Sequence, residues 1–312
     1  MSANVETMFY TREKPWHGLG TYVSHALSSR EALVASGLDW NVVQKDIYTE
    51  NGISVDGFKA NIRDSDNSVL GIVTERYRVV QNSEAFAFTD ELLGKGIRYE
   101  TAGSLQAGRK TWLLAKLPNE YIMLGDRISP FLVFSNSHDG SGAIRVAMTP
   151  IRVVCQNTLN LALATASRSW SAKHTGDIQY KMEEARQTLF MAEAYMDALG
   201  RELENLNRIR LTDAKVIDFI NTLIPLDDSS ATPVQKRNIK KLREDAKLRY
   251  FDAPDLQDVG KNGYRFINAV SDFATHAKPL RETSSYKENL FAKTVDGNIL
   301  IDKAYEMVKS IA

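Results

Sequence analysis

Apolar and polar residues alternate along much of the first half of the chain. Two alternating runs flank Asn51-Gly52, a dipeptide that favours a hairpin turn, and the polar stretch 64–68 predicts a second turn. The run from Leu70 to Val80 is rich in β-branched residues and predicts a strand. Further strands are predicted over residues 97–102, 110–117, 131–134 and 143–155. Hairpins joined by short turns imply a largely antiparallel sheet.

From about residue 178 the apolar positions recur every three and four residues, a pattern that predicts a helix. It packs either on the sheet or between subunits. The positions are Met182, Ala185, Leu189, Ala192, Met196, Leu199, Leu203 and Leu206. Shorter helices are predicted over residues 28–37 with Ser29 as cap and 84–93 with Ser83 as cap, and also over 232–250, 264–276 and 300–311.

Strands come first in this order and helices second, which is typical of the α+β class rather than of alternating βαβ units. We therefore predict an antiparallel, hairpin-rich sheet with packed helices, followed by a mostly helical C-terminal region. The corresponding domain prediction is an α+β core over residues 1–177 and a helical region over residues 178–312, packed on the core or extending it.

Composition narrows the class of protein. The 39 Lys and Arg cancel the 39 Asp and Glu, which excludes a uniformly basic coat protein but leaves room for a local basic surface. The one cysteine, Cys155, excludes an internal disulfide and a Cys-based zinc cage. The start lacks the features of a secretion signal and no window is apolar enough to span a membrane, so we expect a cytoplasmic protein without membrane contacts.

Charge is unevenly distributed along the chain. Residues 140–176 contain no Asp or Glu, and a second window, 236–249, is rich in Lys and Arg. Basic residues interleaved with aromatic ones can follow a phosphate backbone and stack on bases, without a base-specific code. The candidate nucleic-acid-binding residues are Arg76, Tyr77, Arg78, Arg145, Arg152, Arg168, Trp170 and Lys173. A solvated helix face and a structural acid-poor segment are the competing interpretation.

Three catalytic or ligand-binding patterns give weaker evidence of function than the charge distribution. Gly103 and Gly108 have the spacing of a phosphate-binding loop, but Arg109 stands where the lysine belongs and a strand-like run follows, so a hairpin is the better interpretation. Cys155 becomes a nucleophile only beside a base or a positive charge that lowers the pKa of its thiol, and His138 and Arg152 are the candidates. The five histidines show no metal-ligand spacing, and a tight turn accounts for His138-Asp139-Gly140 without a metal. We predict no metal site and no cofactor.

Several separated motifs resemble one family in the same order. They include Gly71-Ile-Val-Thr-Glu-Arg-Tyr-Arg-Val-Val-Gln-Asn82, Asn136-Ser-His-Asp-Gly-Ser-Gly142 and Thr149-Pro-Ile-Arg-Val-Val-Cys-Gln-Asn-Thr-Leu159. Pro15-Trp-His-Gly-Leu-Gly20 and Asn268-Ala-Val-Ser-Asp-Phe273 complete the set. The chain resembles the phage/plasmid-like protein family, a domain of unknown function found in phages, prophages and plasmids. The resemblance implies a bacterial host and favours a role in DNA metabolism.

The predicted sheet with flanking helices also looks like the β-β-β-α core of single-strand annealing recombinases of the RecT, Redβ and Erf type, an analogy of fold alone. The leading hypothesis is an ATP-independent, homo-oligomeric protein that binds and anneals single-stranded DNA. One alternative is a hydrolase-like enzyme with a polar pocket formed by His17, His138, Asp139 and Cys155, together with Arg152 and Asn157. Another is a non-catalytic phage protein that binds a host protein.

Overall fold

The computed structural model describes residues 5–11, 20–24, 27–93, 98–117, 119–152, 157–158, 169–190, 192–227, 229–277 and 298–311. These residues confirm the α+β class, with antiparallel sheets and a helical C-terminal region. The chain forms two compact units, and each draws on three stretches of sequence. The first unit comprises Met1–Asn119, Pro130–Met148 and Arg168–Met191, and the second comprises Glu120–Ser129, Thr149–Ser167 and Ala192–Ala312.

The strands are β1 (Val5–Tyr10), β2 (Thr21–Tyr22), β3 (Val42–Tyr48), β4 (Ser54–Arg63), β5 (Val69–Thr74), β6 (Arg98–Leu105), β7 (Lys110–Lys116), β8 (Tyr121–Met123), β9 (Asp126–Ser137), β10 (Ile144–Arg152), β11 (Asn157–Thr158) and β12 (Ser169–Ala172). The helices are α1 (Ser29–Ala35), α2 (Asn82–Leu93), α3 (Ile178–Phe190), α4 (Ala192–Arg208), α5 (Asp213–Leu223), α6 (Pro233–Phe251), α7 (Gly263–His276) and α8 (Ile299–Lys309). None of the helices in the described ranges is long and apolar enough to cross a membrane.

The large sheet of the first unit runs in the order β2-β1-β6-β7-β9-β10, and β12 pairs with β10. The pairs β1-β6, β6-β7, β7-β9 and β10-β12 are antiparallel, whereas the short pair β1-β2 is parallel. One face carries the apolar core, in which Phe9, Leu113 and Phe134 are buried together with side chains of α1, α2 and α3. The glycine-bounded stretch after β6 is confirmed as a hairpin.

A separate three-stranded antiparallel sheet has the order β3-β4-β5 and confirms the two hairpins predicted around residues 51 and 66. The prediction that this last strand reaches Val80 is wrong, because β5 ends at Thr74. The prediction that Ser29 caps the first helix is also wrong by one residue. Ser28 is the N-cap, since its hydroxyl accepts from the Glu31 N–H while the Glu31 carboxylate accepts from the Ser28 N–H.

The second unit is mostly helical. The three- and four-residue spacing marks buried positions, since Met196, Leu199, Leu203 and Leu206 of α4 are at most 1% exposed. In the first unit, Met182 and Ala185 of α3 are also buried. The basic helix predicted from residue 232 is α6, which Thr232 and Gln235 cap in a reciprocal pair of bonds. The predicted C-terminal helices are α7 and α8.

Candidate functional site

The segment that follows β5 carries three of the predicted site residues and is not a strand. The Glu75 N–H donates to the Gly57 carbonyl oxygen at 3.0 Å, and the Tyr77 N–H then closes a turn onto the Thr74 carbonyl oxygen at 2.9 Å. Strand alternation therefore stops before Arg76. The turn directs Tyr77 inward, while Arg76 and Arg78 on either side of it are exposed.

The ring of Tyr77 lies in a buried contact with His174. The two rings stack with centroids 4.5 Å apart and planes 12° apart, and the Tyr77 hydroxyl donates to the Ser137 carbonyl oxygen at 2.5 Å. Burial, with a smaller contribution from Asp139, raises the pKa of the Tyr77 phenol, so this hydroxyl stays protonated. Only 5% of Tyr77 is exposed. The structure thus gives Tyr77 a packing role, and its ring offers no open face to a base.

Two hydrogen bonds fix His174 beside Arg78, one between backbone groups and one from the imidazole ring. The Arg78 N–H donates to the His174 carbonyl oxygen at 2.8 Å, and His174 Nδ1 lies 3.0 Å from the Arg78 carbonyl oxygen. Because a carbonyl oxygen only accepts, Nδ1 carries the proton of this imidazole. Burial is the main cause that lowers the pKa of His174. We call the set Tyr77, Arg78, Ser137 and His174 the ring clamp.

The turn that contains Asn136-Ser137-His138-Asp139 is tied to the same segment. Asn136 Nδ2 donates to the Val80 carbonyl oxygen at 2.9 Å. The Asp139 carboxylate accepts from the Ser137 hydroxyl at 2.5 Å and from the Ser141 N–H at 2.8 Å. Although partial burial alone raises the pKa of Asp139, these hydrogen bonds outweigh it and lower the pKa. The predicted Asx-type turn is therefore present, and its carboxylate is occupied by the turn itself.

Within this turn, His138 is 0% exposed. The backbone N–H of His138 donates to the Arg109 carbonyl oxygen at 2.7 Å, and the backbone carbonyl oxygen of His138 accepts from Asn61 Nδ2 at 2.7 Å. Its Nε2 lies 3.1 Å from Asn82 Oδ1, and its ring meets the edge of Trp40 with centroids 5.4 Å apart. Since Asn82 Oδ1 accepts, Nε2 carries the proton and Nδ1 carries none.

The electrostatic state of His138 follows from this burial. Loss of hydration, reinforced by His174 and Arg63 and opposed by Asp139, lowers the pKa of His138 to about 3. The imidazole is consequently neutral near pH 7, and its Nδ1 has no hydrogen-bond partner among the described residues. A general base must reach its substrate, directly or through one water. A fully buried, neutral ring bonded to Asn82 fits a structural role better than a catalytic one.

Exposed cations stand next to the two stacked rings in the sequence. Arg76 and Arg78 flank Tyr77 in sequence, and Lys173 precedes His174; all three are exposed. Within the described part of the chain, none of the three forms an ion pair with a carboxylate. Lys181 lies close by, since its ammonium donates to the Lys173 carbonyl oxygen at 2.9 Å. We call Arg76, Arg78 and Lys173 the basic edge.

The other predicted nucleic-acid contacts do not all join this edge. Trp170 pairs with Val146 across β12 and β10 and packs, half-buried, against the apolar core. Arg145 pairs with Ser171 in the next register position, so it projects from the opposite face of the sheet. The side chain of Arg152 and the whole of Arg168 lie outside the described residues.

The alternative polar pocket is only partly visible. His138 and Asp139 are buried or bonded as described, while His17, Cys155 and the side chain of Asn157 lie outside the described residues. In the ranges that the structure describes, no group of three His, Cys, Asp or Glu side chains could hold a metal ion.

Sequence reasoning missed Asn61, Asn82 and Trp40, which surround His138. One signal was available in β4, where Lys59, Asn61 and Arg63 alternate with Phe58, Ala60 and Ile62. The alternation predicts a strand, but it does not tell which face points inward. Asn61 and Arg63 face the rest of the first unit, as their bonds to His138 and Glu6 show, whereas Lys59 pairs with Asp46 at the surface.

The fold and this site define an α+β protein in which a conformationally fixed Ser-His-Asp turn is locked to the segment after a three-stranded sheet. A family model described as "Domain of unknown function (DUF932)" matches residues 69–294. The match covers more than half of the chain, so the chain belongs to this family. The three segments that form the ring clamp, around residues 77, 137 and 174, all lie within the matched residues. No curated protein and no solved structure matches the chain.

Proposed function

We propose that the chain is a phage- or plasmid-type protein that binds and anneals single-stranded DNA without ATP, as a homo-oligomer. The observation that carries this proposal is the basic edge. Arg76, Arg78 and Lys173 are exposed and have no carboxylate partner among the described residues, although the whole chain is neutral. The stacked rings of Tyr77 and His174 join the two segments that carry these cations, which are nearly 100 residues apart in sequence.

Such an edge suits a phosphate backbone. Cations held on a rigid base lose little conformational entropy when they meet an anion, and arginine can bond a phosphate through two N–H groups. Each phosphate neutralised on a single strand contributes a slope of about −0.7 to the dependence of log K on log salt. The order β3-β4-β5-α2 also agrees with the β-β-β-α arrangement of the fold analogy. Tyr77 supports binding indirectly, by positioning Arg76 and Arg78.

The experiment measures anisotropy of a labelled single-stranded oligonucleotide at low salt, followed by annealing of complementary strands without ATP. The variant Arg76→Gln/Arg78→Gln/Lys173→Gln removes the basic edge. The control Arg30→Gln/Arg201→Gln/Lys303→Gln removes three other exposed cations of the described chain, none of which lies on the sheet β3-β4-β5. The proposal predicts that the wild type and the control bind and anneal, and that the edge variant loses most of both.

Three results would count against the proposal. Failure of the wild type to bind the single-stranded oligonucleotide at low salt would refute the proposal. Equal losses in the two triple variants would show that total charge, rather than the basic edge, governs binding. Hydrolytic activity that depends on Cys155, without any nucleic-acid affinity, would favour the enzyme hypothesis instead.

A further inference from the structure

The three-stranded sheet β3-β4-β5 turns an apolar face to solvent. The cross-strand register places Ala60 opposite Lys45 and Ile72, and Ile62 opposite Val43 and Val69. Side chains directly opposite one another in antiparallel strands share a face. The outer face therefore comprises Val43, Lys45, Phe58, Ala60, Ile62, Val69, Ile72 and Thr74. Its four most exposed large side chains are Val43 at 43%, Phe58 at 46%, Val69 at 54% and Ile72 at 61%.

The inner face of β4 is polar in the middle of the same sheet. Asn61 is 0% exposed and donates to the His138 carbonyl oxygen, while Arg63 bonds the Glu6 carboxylate at 2.7 and 2.9 Å and lies over the Trp40 ring. An antiparallel sheet with one solvent-exposed face normally directs its polar residues to the solvent and its apolar residues to the core. Here the central strand does the reverse, so its outer face has the character of a surface that is covered in the assembled protein.

We propose that this outer face packs against the same face of a second copy of the chain. The exposed fractions of the four side chains correspond to about two whole large side chains, or roughly 350 Å² at the usual 150–200 Å² each. Ala60, Ile62 and the aliphatic stem of Lys45 extend this area. A standard interface of about 800 Å² per partner is a little over half apolar, so the outer face has the size of its apolar centre.

The composition of the outer face favours a second copy of the chain as its partner. A partner has to be apolar and nearly uncharged, because the outer face carries one charged side chain, Lys45, on the edge strand β3. From that edge the ammonium can extend into water when the face is covered. Elsewhere in the described chain, the large exposed apolar side chains are spread over separate strands, helices and turns, such as Ile122, Leu248 and Ile299. The described surface that best matches the outer face is therefore the outer face itself.

Two copies related by a two-fold axis bury the same patch on each, and two sheets stack face to face about 10 Å apart. This geometry leaves the β3 and β5 edges unpaired across the interface, so association depends on side chains rather than on new backbone hydrogen bonds. The inference does not rest on nucleic-acid binding, and its test contains no DNA.

The test measures molecular mass against protein concentration by sedimentation or light scattering. Ile72→Glu and Phe58→Glu each place a charge in the outer face, at positions already exposed in one copy. Leu248→Glu on α6 is the control, since Leu248 is 58% exposed and lies outside the face. We expect a wild-type mass of twice 35.0 kDa at micromolar concentrations. We expect each face variant to raise the dissociation constant by about 100-fold.

Circular dichroism and thermal unfolding verify that the variants remain folded. A wild type that stays at 35.0 kDa throughout overturns the proposal, and leaves the outer face to a different partner. An association that survives both face substitutions, or that Leu248→Glu weakens equally, overturns it as well.

Discussion

Acidification should destabilise the protein through His138. The folded state lowers the pKa of His138 to about 3, whereas an unfolded chain leaves it near 6.5. The folded state therefore binds fewer protons between these values. The stability that the neutral imidazole provides is complete above pH 6.5 and declines as pH falls toward 3. At about 1.4 kcal/mol per unit, the loss between pH 6.5 and pH 5 is roughly 2 kcal/mol.

The measurement is urea unfolding of the wild type and of His138→Gln at several values between pH 7.5 and pH 5 (a range chosen above the titration of ordinary carboxylates, about 4). Glutamine retains an N–H that can donate to Asn82 Oδ1 but does not titrate. The difference in pH dependence between the two proteins isolates His138 from the other histidines. We expect the wild type to lose about 2 kcal/mol more than the variant over this range. If the unfolding free energies of the wild type and His138→Gln change with pH in parallel, the burial of a neutral His138 is refuted.

Three substitutions test the packing of the site and of α4. Tyr77→Phe should cost about 1–3 kcal/mol in unfolding free energy, because the buried Ser137 carbonyl oxygen loses its donor. Gly71→Ala should cost about 1–3 kcal/mol, because a Cβ there would lie 2.5 Å from the Asp139 Cα and the backbone must shift. Gly200→Ala should stabilise by about 0.5–1 kcal/mol, since its Cβ meets its nearest neighbours at an ordinary 3.7 Å within a helix.

Urea unfolding at pH 7.5 measures all three. Tyr180→Phe is the control for Tyr77→Phe, because Tyr180 is 65% exposed and no bond of its hydroxyl is seen among the described residues. An unchanged free energy of unfolding in Tyr77→Phe would contradict the buried hydrogen bond. An unchanged value in Gly71→Ala would contradict the close approach of β5 to the Ser-His-Asp turn. A destabilising Gly200→Ala would mean that α4 packs more tightly at this point.

Periodicity predicted most of the regular structure, because strands and helices repeat over distances that a short window contains. The hairpins around residues 51 and 66, the hairpin β6-β7 and the buried side of α4 all follow from it. The end of β5 did not follow. Tyr77 and Val79 have strand-like composition, but Tyr77 leaves the strand to stack on His174, a partner almost 100 residues away.

The site was predictable only in fragments. The two motifs that meet in the ring clamp were recognised separately, and nothing local shows that residues 77 and 137 are in contact. The same limit applies to the two compact units, which interleave three stretches each. In β4 the period of two was plain, yet period alone does not tell which face is buried. The buried face of β4 is determined by the tertiary partners of Asn61 and Arg63. Because these two side chains face inward, the apolar face of the strand faces outward.

The most direct test of the central claim compares the salt dependence of single-strand binding in the wild type and in Arg76→Gln/Arg78→Gln/Lys173→Gln. If the basic edge neutralises three phosphates, the slope of log K against log salt should become shallower by about 2 in the variant. The control Arg30→Gln/Arg201→Gln/Lys303→Gln should retain the wild-type slope. A wild-type slope near zero, or identical slopes in the wild type and the basic-edge variant, would contradict the account.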